Sequence, residues 1–137
     1  MPDGYCSGMR TALTEMLGVE HPVMLAGMGG VSYSRLCAAV SEAGGFGCLG
    51  ASTMDHETMV TEIAAVRSMT DKPFGVDLLT AAPQDMGANV QAIIDGGASV
   101  FVAGLGVPRD VVDQCHEQDL SLIHISEPTR PSKSSRM

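Results

Sequence analysis

The chain has 137 residues, 45% of them hydrophobic, and a formal charge of −8. That length suits one domain and that apolar share suits a packed core, which excludes a wholly disordered chain. An acidic body excludes the cationic face that nucleic-acid binding needs, and no long apolar segment opens the chain, so neither a signal peptide nor a membrane anchor is expected.

The first predicted element is a short helix from about Thr11 to Leu17. The apolar run "PVMLAG" (22–27) follows as a first strand. Ser32 is placed to cap the next helix, with Leu36, Ala39, Val40 and Ala43 spaced i, i+3, i+4, i+7 on its buried face and Gly44-Gly45 as its stop. The second strand is "FGCLGAS" (46–52). Asp55 caps a helix whose face carries Met59, Ile63 and Val66, and "TDKP" (70–73) turns the chain into the third strand, "PFGVDLL" (73–79). Met86, Val90, Ile93 and Ile94 form the face of the next helix, which ends at Gly96-Gly97. The fourth strand is "SVFVAGLG" (99–106). Pro108 suits the first turn of a last helix containing Val111, Val112 and Cys115.

Near-continuous apolar runs joined by single helices predict an α/β fold with a parallel sheet buried on both faces. A doubly wound open sheet and half of a (β/α)8 barrel both fit this order. Glycine at three of the four strand ends, in "LAGMGG", "CLGAS" and "AGLGVP", favours the barrel, because small residues there let a large flat ligand reach the backbone.

Four features bear on chemistry. "AGMGGVS" (26–32) links a strand to a helix, so its N–H groups can meet an anion or a polar ring edge. A nicotinamide dinucleotide is disfavoured there, because the next strand ends Gly50-Ala51-Ser52 and offers no acid for a ribose. "GFGCLG" (45–50) matches G-x-G-x-x-G but contains the strand instead of following it, so it reads as a helix stop and a glycine-rich strand. Asp77 is a carboxylate inside an apolar strand, which points either to a site or to a partly solvated strand end. His21, His56, His116 and His124 are scattered, and Cys6, Cys37, Cys48 and Cys115 form no CxxC pair and no Cys/His metal set. No metal site is expected, and free thiols fit a cytoplasmic protein.

The stretches "LTEMLGVEHPVMLAGMGGVSYSRLCAAVSEAGGFGCLGAS", "VRSMTDKPFGVDLL" and "GASVFVAGLGVP" resemble the N-terminal part of the nitronate monooxygenase family, over about residues 11–119. The resemblance implies a TIM barrel, FMN as cofactor, and oxidation of alkyl nitronates or nitroalkanes with O2. The family's Ala-Pro-Met segment, which lies against the flavin, falls on Ala26, Gly27 and Met28, with Gly27 in place of proline. Asp77 stands where the family often has a flavin-facing Asn. A carboxylate there lacks the amide donor unless it is protonated. The family's histidine, in a Gly-Gly-His segment after the fifth strand, matches none of the four here, so the isolated chain is expected to be inactive.

The tail differs in composition. Residues 1–119 carry a net charge of −10 and residues 120–137 a net charge of +2. "SLIHIS" alternates like a strand, "EPTRPSKSSR" reads as a flexible end, and "LSLIHISEPTRP" resembles a translated sequencing adaptor. Residues 1–119 are therefore expected to be the first half of an FMN-binding barrel: a leading helix and four βα units. Residues 120–137 are expected to be a non-native tail, either disordered or lying as a pseudo-strand in the fifth-strand slot. One rival is an NAD(P)H-dependent flavin reductase of the same superfamily, acting on enoyl thioesters or quinones. The other is a small non-catalytic α/β binding domain. The edges "VMLA" and "FVAG" would be unpaired, and self-association through them is the expected consequence.

Overall fold

A computed structural model describes residues 9–80, 85–106 and 109–125. Thr11 starts α1 (Ala12–Leu17) through a reciprocal cap: the Thr14 N–H donates to Thr11 Oγ1 at 3.2 Å and the Thr11 N–H to Thr14 Oγ1 at 2.9 Å. Gly18, at φ 67°, ends the helix in the left-handed region, where glycine carries no Cβ penalty. The rest of the order is α2 (Ser34–Glu42), β1 (Gly47–Gly50), α3 (His56–Met69), β2 (Phe74–Leu79), α4 (Met86–Asp95), β3 (Val100–Gly104), α5 (Arg109–Glu117) and β4 (Ser121–Ile125).

The four strands are parallel and lie side by side in sequence order, β1-β2-β3-β4. A doubly wound sheet reverses strand order at a switch point and carries helices on both faces. Here the order never reverses. Residues of α2 to α5 join one buried cluster with Leu49, Phe74, Val76, Leu78, Phe101 and Ala103 from one face of the sheet. The opposite face carries a second cluster, Phe46, Cys48, Val100 and Val102, with Leu17 of α1 beneath it. A single-wound wall with helices outside and side chains filling the inside is the beginning of a (β/α)8 barrel.

The structure corrects the first predicted strand. Residues 22–27 make only one parallel bridge, Met24 to Phe46. The Phe46 N–H donates to the Val23 carbonyl at 2.8 Å, and the Leu25 N–H to the Phe46 carbonyl at 2.9 Å. Beyond Leu25 the chain leaves the ladder because it crosses the end of β1. The Met28 backbone lies where a side chain on Gly50 would be, within 2.5–2.6 Å of an added Cβ.

The second helix is corrected in start and in face. It begins at Ser34, and its N-cap Tyr33 makes no side-chain cap bond. The Ser34 N–H instead donates to Glu62 Oε2 of α3 at 2.8 Å. Its buried residues are Ser34, Cys37, Ala38 and Ser41, while Leu36, Ala39 and Ala43 are exposed and Val40 is half-buried. Close approach selects the small side chains. A Cβ on Gly47 would lie 2.5 Å from Ser41 Oγ and 2.9 Å from the Cys37 carbonyl carbon, which leaves no room for leucine or valine between α2 and β1.

The other faces follow their spacing. Asp55 caps α3 by accepting the Thr58 N–H at 2.8 Å, and Met59, Ile63 and Val66 are buried. Val90 and Ile93 are buried on α4, with Met86 and Ile94 packed beside them. Val111 and Cys115 are buried on α5. Pro108, Cys6 and residues 126–137 lie outside the described residues. Residues 121–125 take the fifth-strand slot, paired with β3 from Val100–Ser121 to Gly104–Ile125. The "FVAG" edge is therefore covered by residues 121–125, and the free edge on that side is the outer edge of β4.

Candidate functional site

Alternation along the strands decides what faces the inside. Phe46, Cys48 and Gly50 on or before β1, Gly75, Asp77 and Leu79 on β2, and Val100, Val102 and Gly104 on β3 share the inner face. On β1 and β3 bulk falls from bottom to top, while on β2 it rises from Gly75 to Leu79. Phe46 and Val100 fill the N-terminal end over Leu17, whereas Gly50 and Gly104 stand at the C-terminal end.

Among the described residues, Asp77 is the carboxyl of this face. It is 9% exposed, and its carboxyl makes no hydrogen bond to another described residue. Burial pushes its pKa up to about 6. Gly27 packs directly on it: a Cβ at position 27 would overlap the Asp77 side chain and lie 2.6 Å from its Cγ. Two of the predicted site residues, far apart in sequence, are thus in contact. Cys48, on the same face, is held as a neutral thiol, its pKa raised by burial and then by the Asp77 charge.

Ala26 to Ser32 form the rim above this floor. Ser32, predicted as a helix cap, is wholly buried and closes the loop instead. Its hydroxyl accepts the Met28 N–H at 2.7 Å and donates to the Met28 carbonyl at 3.1 Å. Bonds from the Val31 and Ser32 N–H groups to the same carbonyl complete the turn, with Gly30 at φ 79°. The N–H groups of Ala26, Gly27, Gly29 and Gly30 donate to no other described residue. Ala26, Met28, Gly29 and Gly30 are exposed and Gly27 is half-buried. Across the sheet end, Leu105 (φ 64°) and Gly106 (φ 104°) form a second left-handed turn, held by a bond from the Thr80 hydroxyl to the Gly104 carbonyl at 2.8 Å. Spacing could not reveal the role of Ser32, because a loop clamp and an N-cap draw on the same residue type.

The histidines stay off this face where they can be placed. His56 pairs with Asn89 at 2.7 Å between α3 and α4, and His116 is exposed on α5. Among the described residues, the upper end of the inner face therefore offers backbone donors on its rim and one protonatable carboxyl beneath Gly27.

A parallel single-wound wall with its candidate site at the strand C-termini defines the class as a TIM-barrel α/β protein. The chain belongs to the nitronate monooxygenase family, whose model matches residues 10–130. It is 38% identical over 109 residues to the (3aS,4S,5R,7aS)-5-hydroxy-7a-methyl-1-oxo-octahydro-1H-indene-4-carboxyl-CoA dehydrogenase of Mycobacterium tuberculosis, covering 80% of this chain and 30% of that protein. It is 37% identical over 109 residues to a probable nitronate monooxygenase of Staphylococcus aureus, covering 80% and 31%. The solved structure of FabK from Thermotoga maritima superposes with a TM-score of 0.78 at 34% identity, over 84% of this chain and 37% of that one. The chain thus spans about a third of the length of the curated relatives it matches.

Proposed function

We propose that this chain forms the N-terminal wall of a cytoplasmic FMN-dependent oxidoreductase that oxidises alkyl nitronates with O2. Family membership supports the oxidoreductase class. The observation that carries the flavin assignment is the rim of unpaired N–H groups at Ala26, Gly27, Gly29 and Gly30 above a glycine-ended inner face.

The residues present fit one side of a flavin ring. Gly27 lets the backbone lie flat on the floor, Met28 covers the end of β1, and the free donors meet a polar ring edge without a charged side chain. Bound there, the flavin would supply the electron transfer that the side chains of this wall cannot. Ala26, Gly27 and Met28 would hold the ring, and Asp77 would hold or release a proton at its carboxyl. The bulky lower layer, Phe46 and Val100 over Leu17, would exclude water from below. No helix among the described residues is long and apolar enough to cross a membrane.

A second reading rests on the relatives. The dehydrogenase from M. tuberculosis is named for a CoA thioester, so a thioester-directed flavin oxidoreductase, with or without NAD(P)H, is the alternative. Purification of the complete protein tests both. Visible flavin absorption with nitronate-dependent O2 uptake in the absence of nicotinamide supports the first reading. Nicotinamide- or thioester-dependent turnover without nitronate oxidation replaces it with the second. Protein that retains no flavin, and regains none on incubation with FMN, rejects both.

A further inference from the structure

We propose that Asp77, in its protonated form, pairs with a carbonyl-and-N–H edge of the bound flavin ring, so that cofactor retention depends on pH. The inference rests on the flavin reading above and adds a regulation of that site.

Geometry comes first. Asp77 points to the inner face near the C-terminal end of β2 and is 9% exposed as a residue; its carboxyl makes no hydrogen bond among the described residues, and its oxygens still reach solvent. A ligand that covers this carboxyl must supply its partner, because a buried polar group left without one is costly. The space it occupies exists because residue 27 is glycine, since any side chain there would overlap it.

Chemistry then selects the form. A neutral carboxyl presents one donor and one acceptor side by side. Adjacent C=O and N–H groups, as on the pyrimidine edge of a flavin, match both at once. A carboxylate presents acceptors only. It would meet the ring N–H, repel the ring carbonyl, and carry a charge into a face built from Val102, Cys48 and glycines.

The surroundings leave the titration to Asp77 itself. β1 contributes Cys48, neutral because burial and the Asp77 charge raise its pKa. β3 contributes Val102 and Gly104, and the covering segment contributes Gly27 and Met28, none of which titrates. No cation among the described residues pairs with Asp77, and burial sets its titration at about pH 6. The carboxyl is therefore protonated below that range and ionised above it.

The test is FMN affinity of the complete protein and of its Asp77→Asn variant, read from flavin fluorescence between about pH 5 and about pH 8. Only the protonated fraction is competent, so the wild-type Kd is expected to rise by roughly ten-fold or more across that range. The amide keeps donor and acceptor at every pH, so the variant should change by about two-fold at most beyond the titration of the FMN phosphate, which both proteins share. Parallel curves overturn the inference while leaving the flavoprotein reading intact. Absence of FMN binding by both proteins at every pH overturns both. Should the variant not fold, wild type alone decides through riboflavin, which has no phosphate. At about pH 7.5 its binding should take up close to one proton per flavin, and zero uptake overturns the inference.

Discussion

Ser41 and Gly47 are joined by one hydroxyl, which accepts the Gly47 N–H at 3.1 Å and donates to the Pro73 carbonyl at 2.9 Å. A side chain of α2 thereby fixes the start of β1 and the turn into β2. Replacing Ser41 with Ala leaves a buried N–H and a carbonyl without partners, at a cost of about 1–3 kcal/mol. Urea unfolding of the two proteins measures it. A midpoint unchanged within error would show that the hydroxyl is dispensable.

Gly47→Ala tests the close packing of α2 on β1. The added methyl would collide with the Cys37 carbonyl and the Ser41 hydroxyl, so the helix must shift outward. The expected loss is about 1–3 kcal/mol, the range for overpacking a dense interior. Gly30→Ala is the matching control. Nothing lies within 4 Å of its Cβ position, so only the backbone conformation at φ 79° resists the change, by about 1 kcal/mol. Equal thermal shifts in the two variants would contradict the packing argument.

Asp77 also links stability to pH. Its carboxyl titrates at about pH 6 when folded and near about pH 4 when unfolded, so the folded state holds the proton more tightly. The resulting stability is fully present below about pH 4 and is lost as pH rises through about 6. The difference approaches roughly 2–3 kcal/mol, and Asp77→Asn should remove it. Urea midpoints at a series of pH values, compared between the two proteins, give the sign directly. A wild-type advantage that grows toward alkaline pH would refute the assignment.

Exposed apolar side chains and free strand edges predict self-association of the isolated 137-residue chain. Val31 is 59% exposed and Leu36 39%, beside Tyr33, and the outer edge of β4 is unpaired in the sheet order. Sedimentation velocity is expected to show species larger than the monomer that decrease on Leu36→Glu. A strictly monomeric chain at high concentration would count against it.

Much of this wall was legible in the sequence. The faces of α3 and α4 were legible from period alone because large apolar residues sit at regular spacing. The caps at Thr11 and Asp55 differ in that respect: Asp55 was read directly, while the Thr11–Thr14 box was not. The face of α2 was misread for a physical reason. Hydrophobic spacing finds the bulkiest stripe, and the tight seat against Gly47 selects the smallest one, Ser34, Cys37, Ala38 and Ser41. At the site, Asp77 stood out as a charge in an apolar strand. Its contact with Gly27 was not readable, because it depends on the first segment leaving the ladder to cross the sheet end.

The bond from the Ser34 N–H to Glu62 has an implication for the order of events during synthesis. The first full turn of α2 borrows its cap from a residue the ribosome adds twenty-eight positions later. Until α3 emerges and docks, α2 is a nine-residue segment with no side-chain cap of its own, too short to persist alone in water. Nascent chains ending before Glu62 should therefore expose Cys37 to alkylation, and chains extended well past it should begin to protect that thiol.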